Sequence, residues 1–514
     1  MLAYLKRLLT TGAAYQFGDI LAKALALVTI PLYTRYVSRG GYGAANSLLT
    51  FVILSSIFLR VGVGEAFVRF YFDDADAQRR ARIARTATAT VAWTTTLAAL
   101  LGLIFAAPLS RALLGFRDPL LLDCAVLGLW AFTNLEMAYA QLRVDERVRT
   151  YVYASGSNVA LTIAFTVTLV VAAHQGARGL LLGNFGASAL VVLGLWWALR
   201  ARVAVRPPLG RQARADLRAM LRFGLPTVPA DASVYALQVA DRFYLYRGYS
   251  HAAAGDYSIA LQLATVVFVF VRGFQYAWPP LAYSIESDAE AARLYSIVTT
   301  YYVIATGVVV AAVALVGRWI VRALAAHQFF GAHSALPWLA LAWMLYGLYQ
   351  VMIVITGRAR ATLRNIPAAA LGLGVNVGLL VWLVPRGGAD LGTAGAGIAL
   401  CGAYVVMLFA MVLLTRGLFA VRFQWRRLAQ LALLLAAVAV SGELLLPRSG
   451  FAGLSLRLAW LALIPALLLG TRFFSASERS QTRALLADAR ARVAAFRAGH
   501  GDVEAYAEDP LRDI

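Results

Sequence analysis

The sequence predicts an all-α polytopic membrane protein, and three observations carry that prediction. Hydrophobic residues make up 61% of the 514-residue chain and charged residues only 14%; a soluble domain sits nearer about 45–50% and about 25%. Mean hydropathy is +0.69. The apolar residues gather into long runs bounded by arginine clusters. Roughly 20 apolar residues carry a helix across hydrocarbon, and long unbroken runs are unlike the short alternating segments of an outer-membrane barrel. A soluble enzyme and a single-anchor protein are excluded.

Taken in order, the runs predict fourteen spans, near 12–34, 42–64, 84–107, 119–140, 153–173, 178–199, 223–247, 254–277, 294–316, 334–356, 366–386, 392–415, 427–446 and 453–471. With the N-terminus (Lys6, Arg7) placed in the cytoplasm, the alternating loops hold 32 Lys/Arg inside and 11 outside. That asymmetry obeys the positive-inside rule and predicts an even number of spans with both termini cytoplasmic. The net charge of +21 then reflects orientation and contact with anionic membrane lipids, so no nucleic-acid partner is expected. The first run is too long for a cleaved signal and carries Asp19 and Lys23, so it is expected to stay as a span.

The predicted organisation follows from the longest basic loop. Residues 201–222 form a basic cytoplasmic linker, rich in arginine and holding Pro207 and Pro208. It separates an N-terminal lobe (1–200, spans 1–6) from a C-terminal lobe (223–415, spans 7–12). An overlay at an offset of 212 gives ten identities over 49 positions, pairing Gly12 with Gly224, Asp19 with Asp231, Gly43 with Gly255 and Arg60 with Arg272. Asn158 and Asn376 open corresponding later spans. Repeats of this kind build transporters with a site between two lobes. Two extra spans (416–471) lie outside the repeat. Residues 472–514 read as a cytoplasmic amphipathic helix and tail, with Ser475 and Glu478 at capping-box spacing.

Several stretches resemble Wzx-type flippases of the multidrug/oligosaccharidyl-lipid/polysaccharide exporter superfamily. They are Thr29-Ile-Pro-Leu-Tyr-Thr-Arg-Tyr36 with Gly41-Tyr-Gly43, Val61-Gly-Val-Gly-Glu-Ala-Phe-Val-Arg-Phe-Tyr71, Gly255-Asp-Tyr-Ser-Ile-Ala260, and the run from Asn376 through Val384-Pro385 to Gly392-Thr-Ala-Gly395. The likeness covers about residues 10–415. The resemblance implies a V-shaped, MATE/MurJ-like pair of pseudo-symmetric six-helix lobes in the bacterial inner membrane. It implies outward flipping of an undecaprenyl-pyrophosphate-linked oligosaccharide for surface polysaccharide biosynthesis, alongside other polysaccharide-assembly proteins. Fourteen spans also suit a MurJ-type lipid II flippase, and the lobes suit a MATE-type drug exporter; both stay open.

Ionisable groups inside spans are expensive and mark candidate sites. Lys23, Arg60, Arg272 and Arg242 are the candidate cavity cations for the pyrophosphate, because guanidinium binds phosphate oxygens in pairs. Asp19, Asp231 and Asp241 are the candidates for ion coupling. Each has a plainer alternative: Asp19 and Lys23 a self-neutralised i, i+4 pair, Arg60 and Arg272 snorkelling to headgroups, Asp241–Arg242 an interfacial pair. Glu65 and Arg69 flank the inner mouth. Pro226 and Pro229 are candidate hinges, or a static kink. Neither lysine follows a glycine, which excludes a phosphate-binding P-loop. No serine-hydrolase elbow, zinc-protease helix or Cys/His cluster is present, and Cys124 and Cys401 lie within apolar runs. The expectation is a transporter, not an enzyme, without metal or cofactor; a membrane glycan polymerase or ligase is the remote alternative.

Overall fold

The computed structural model describes residues 27–72, 76–200, 210–285, 287–359, 361–418, 421–471 and 473, and among them all regular structure is helical. Twelve of these helices are long and apolar enough to cross a membrane. Large apolar side chains stay exposed along them, among them Ile104 at 72% and Phe451 at 83%. Such exposure suits acyl chains and not water. The chain divides by its contacts into two units, one ending at Phe423 and the other beginning at Gln424.

The first unit opens with a helical stretch at 27–36. There follow α1 (Arg39–Leu59), the short α2 (Val63–Phe72), α3 (Ala77–Ile104), α4 (Ala106–Leu114), α5 (Pro119–Val144), α6 (Val148–Val167) and α7 (Gly176–Ala198). Local chemistry sets where they start. Ser38 accepts from the Gly41 amide, Asp76 from Gln78 and Arg79, and Asp118 from Leu121 just before Pro119. These side chains take up amides that the first helical turn leaves without partners. α5 is buried around most of its circumference, and α1, α3 and α7 pack on it. Its polar residues bind these neighbours: Asn134 Nδ2 donates to Thr95 Oγ1 at 2.9 Å, and Gln141 donates to Thr88. Between apolar helices in lipid, hydrogen bonds of this kind hold packing together where the hydrophobic effect cannot.

The second half of the expected linker is a helix, α8 (Arg211–Gly224). Leu217, Met220 and Leu221 fall at helical spacing, and Met220 buries against Val63, Phe67 and Ile83 of α2 and α3. Four arginines (Arg211, Arg214, Arg218, Arg222) line its exposed face. A 3-10 turn (Leu225–Thr227) joins it to α9 (Val228–Tyr244), which ends in a π turn (Leu245–Tyr249). The expected seventh span is this jointed stretch. Its α-helical part has 17 residues, and the stretch is not among the twelve.

α10 (His251–Ser284), α11 (Asp288–Leu324), α12 (Leu336–Arg358), α13 (Asn365–Leu383) and α14 (Gly392–Thr415) complete the unit. α9 to α14 pack on one another, as do the helices from α1 to α7. The two groups meet where α1 lies against α9 and α10, and where α8 lies against α2 and α3. α1 runs from an end marked by Arg39 to an end marked by Arg60, and α10 starts beside the Arg39 end.

The second unit is a hairpin of α15 (Trp425–Leu445) and α16 (Gly450–Gly470). Arg457 of α16 is fully buried. It donates to Glu443 at 2.8 Å and to the carbonyls of Pro447 and Leu446.

Candidate functional site

A cavity of about 490 Å³ opens between the two helix groups. One wall comes from the first group: Thr29 and Tyr33, Tyr42 and Asn46 of α1, Asn158 of α6, Asn184 of α7. The other comes from Arg242 of α9, Ser258, Gln262 and Phe268 of α10, and Trp343 of α12. Tyr42 donates to Gln262 Oε1 at 2.7 Å across the seam. The lining is rich in amides, hydroxyls and aromatic rings, and among the described residues it contains one cation and no carboxylate.

That cation is Arg242. Its Nη1 donates to Thr50 of α1 at 2.9 Å, while its buried Nε has no hydrogen-bond partner among the described residues. Asp241, the next residue, turns the other way. It is 1% exposed, and its Oδ2 accepts from Tyr257 at 2.5 Å. Asn376 of α13 lies beside it. Asp241 Oδ1 and both polar atoms of the Asn376 side chain are buried without a partner that satisfies hydrogen-bond geometry among the described residues. Unsatisfied buried polar atoms are costly, so this nest of uncommitted oxygens and an amide is a candidate cation or proton site. No group of three or more acidic, histidine or cysteine side chains suited to a metal occurs among the described residues.

The other sequence-selected residues are dispersed. Arg60 ends α1 and its Nε donates to Ser56 O at 3.4 Å; it is not part of the cavity wall. Arg272 also lies outside the lining, yet it supports it: its guanidinium stacks on Phe268 at 4.8 Å, and Phe268 in turn meets Trp343 at 4.3 Å between centroids. Arg69 is exposed and stacks on Phe223 at 4.5 Å. Pro226 falls in the 3-10 turn and Pro229 in the first turn of α9, where a missing amide proton costs little. They mark the α8–α9 joint. Asp19 and Lys23 lie outside the described residues, as do the side chains of Glu65 and Asp231.

The two groups touch at both ends. At the Arg39 end, Arg39 makes a two-point ion pair with Asp256. Gln328 donates to Thr34 O at 2.8 Å and to Val37 O at 3.2 Å. α1 and α10 cross there at Gly43 and Gly255; a Cβ on Gly43 would come within 2.5 Å of the His251 carbonyl. At the Arg60 end, Gly62 (φ +69°) and Gly224 pack backbone to backbone. Ile57 of α1 buries against Val228 and Ala232 of α9, and Arg82 pairs with Asp216 of α8 at 2.7 Å.

Charge-based selection missed the amides of the wall and the Arg39–Asp256 pair. Short signals for them existed: Asn158 was visible through its match to Asn376, and Asp256 follows a repeat-matched glycine.

The fold and the site define a multi-pass helical membrane protein with a polar cavity between two packed helix groups. Residues 9–286 match the sequence family described as Polysaccharide biosynthesis protein, and the chain belongs to that family. No curated protein matches the chain. Among solved structures, it is similar to the lipid II flippase MurJ in an inward closed conformation, with TM-score 0.67, 12% identity, and coverage of 89% of this chain and 98% of that one. It is also similar to an inward-facing multidrug resistance MATE family transporter of the MOP superfamily, with TM-score 0.60, 14% identity and coverage of 77% and 98%. A MOP superfamily transporter from Pyrococcus furiosus gives TM-score 0.52, 15% identity and coverage of 83% and 96%. At these identities the likeness is one of fold. The resemblance read from the sequence is borne out at the level of family and fold.

Proposed function

We propose that this protein flips an undecaprenyl-pyrophosphate-linked oligosaccharide from the cytoplasmic to the outer leaflet of a bacterial inner membrane. The observation that carries the reading is the polar cavity walled by both helix groups. Membership of a polysaccharide biosynthesis family supports the substrate class. In this reading there are fourteen spans in two six-helix lobes plus a final pair, the Arg60 end is cytoplasmic, and both termini are inside. The lipid tail stays in the bilayer while the head crosses roughly 30 Å of hydrocarbon through the wet cavity, as the lobes open to one face and then the other.

Arg242 supplies positive charge in the wall, with Lys23, Arg60 and Arg272 as further phosphate contacts on the route. A dianion leaving an inside-negative cell gains about 2.3 kcal/mol per charge per 100 mV, roughly 4–5 kcal/mol in all. The potential alone is a sufficient drive in sign. A coupled ion would sit at Asp241 and Asn376, with Asp19 and Asp231 as further acids.

The test is translocation of lipid-linked oligosaccharide in vesicles with an imposed potential. An inside-negative potential accelerates flipping, and Arg242→Ala slows it by about tenfold, the worth of one charged hydrogen bond. Flipping that ignores the potential and survives Lys23→Ala, Arg60→Ala, Arg272→Ala and Arg242→Ala overturns the proposal. Rescue of a strain that lacks peptidoglycan flipping would assign the lipid II head group instead.

A further inference from the structure

A second, smaller space lies toward the Arg60 end of the first helix group, walled by α2, α3 and the ends of α5 and α7. Its volume is about 210 Å³, and it shares no described wall residue with the central cavity. Sites for drug-sized ligands run to about 300–1,000 Å³, so this one takes a small group and not an oligosaccharide. Phe67, Ala81 and Leu199 make its apolar side.

The polar side holds an acceptor in need of a donor. Gln141 is 5% exposed. Its Nε2 donates to the Ala84 carbonyl at 3.3 Å and to Thr88. A carbonyl only accepts, so Ala84 fixes which way the amide points. That leaves Gln141 Oε1 accepting from no described group, and a buried acceptor left alone is costly. Asp145, four residues on, shares its helix face and lines the same space. Asp145 Oδ1 accepts from Tyr71 at 2.6 Å and Oδ2 lies 3.8 Å from Arg147 Nε. A carboxylate has room for about four donors, so it can take another. Arg80 stands in the same wall. Its Nε donates to Tyr71 O at 3.1 Å and its guanidinium stacks on the Tyr71 ring at 5.3 Å, which fixes a cation there.

The depth of the pocket points to a lipid. Trp197, 72% exposed at the end of α7, carries Arg200 against its ring at 5.7 Å. Exposed tryptophan at a helix end marks the headgroup layer, and Leu199, between these two residues, lines the pocket. We infer that this pocket binds the head of a membrane lipid that carries a primary ammonium beside a phosphate, the ammonium between Gln141 Oε1 and Asp145 and the phosphate at Arg80. A primary ammonium brings three N–H donors. A trimethylated one brings none, and a glycerol head brings no positive charge to Asp145. The inference goes beyond the flippase reading and rests only on the chain's spanning a membrane.

The experiment is equilibrium binding of short-chain lipids with identical tails to the full-length protein in detergent. Phosphatidylethanolamine binds about tenfold tighter than phosphatidylcholine or phosphatidylglycerol. Asp145→Asn, which still accepts from Tyr71, and Gln141→Met each remove about five- to tenfold of that preference, the worth of a charged or neutral hydrogen bond. Ala81→Phe, which fills the space and touches no polar group of the wall, removes it as well. Binding of phosphatidylcholine stays unchanged in all three, which also shows that they are folded. Glycerophosphoethanolamine, the same head without tails, competes at least about a hundredfold more weakly, since it buries no acyl chain.

If the wild type holds the three heads alike, or prefers phosphatidylglycerol, the site is overturned. The same holds if the three variants keep the wild-type preference, or lose phosphatidylcholine and phosphatidylethanolamine equally. Equal competition by glycerophosphoethanolamine overturns the lipid as the source of the head. Each of these results leaves the flippase reading untouched.

Discussion

Asp241 and Arg242 are adjacent in sequence and opposite in role, and that divergence is set by the helix. Successive residues point about 100° apart around an α-helix, so Arg242 reaches the cavity and Thr50 while Asp241 reaches Tyr257 and Asn376. An interfacial Asp–Arg pair is therefore not what the two side chains form. Asp241→Asn preserves the shape and still accepts from Tyr257, but removes the negative charge. The expected outcome is loss of any acceleration by a proton or sodium gradient, at least tenfold, with the response to membrane potential retained. Translocation assays under separate ion gradients and potentials measure it. A variant that still answers to the gradient as the wild type does would remove Asp241 from coupling.

At the scale of elements, much was legible because hydrophobic length is a one-dimensional signal. Twelve of the predicted runs coincide with α1, α3, α5–α7 and α10–α16. The stretch 223–247 was legible as apolar but not as jointed, because Pro226 and Pro229 announce a break without saying whether it falls inside a helix or between two. α8 was missed as a helix because its arginines dominate the composition; its apolar side, Leu217, Met220 and Leu221, finds a partner only in the folded chain. Two of the stretches that carried the family resemblance lie at the cavity and its Arg39 end: Thr29, Tyr33 and Tyr42 line the space, and Asp256, Tyr257 and Ser258 make the ion pair, the Asp241 contact and the wall. Charge alone pointed to Arg242, which lines the space, and also to Arg60 and Arg272, which do not, since a sequence shows that a cation is in a span but not which way it faces. Arg457 illustrates the converse. It falls inside the fourteenth predicted span and was not singled out, yet it is fully buried and holds Glu443 and the two carbonyls at the end of α15. Arg457→Leu removes this donor from the Pro447 and Leu446 carbonyls, while Glu443 keeps Arg448 at 3.4 Å. The expected cost is about 1–3 kcal/mol, the penalty for such orphaned groups, seen as a lower melting temperature of the detergent-purified protein. An unchanged melting temperature would mean that the turn between α15 and α16 is held by other contacts.

At the scale of the whole first unit, the contacts at both ends matter more than the cavity between them. Under the proposed function, a polar head crosses only if the groups part where they touch, at the Arg39 end through Arg39–Asp256 and Gln328 and at the Arg60 end through Gly62–Gly224 and the Ile57 cluster. Release therefore needs α1 to part from α10 at the Arg39 end, where the repeat-matched glycines let the two backbones lie against each other. A covalent tie tests this directly. A Cβ on Gly40 would lie 3.7 Å from the Cβ of His251 and meet no other atom within 4 Å. Disulfides hold their Cβ atoms about 3.5–4.5 Å apart. Gly40→Cys with His251→Cys is thus set to close without strain, and the native Cys124 and Cys401 are buried and removable as alanines. Oxidised double-variant vesicles are expected to lose translocation by at least tenfold and to regain it on reduction, while each single variant keeps its activity under both conditions. Full activity in the oxidised double variant, with the cross-link verified by mass spectrometry, would mean that the head group leaves by a route that never separates α1 from α10.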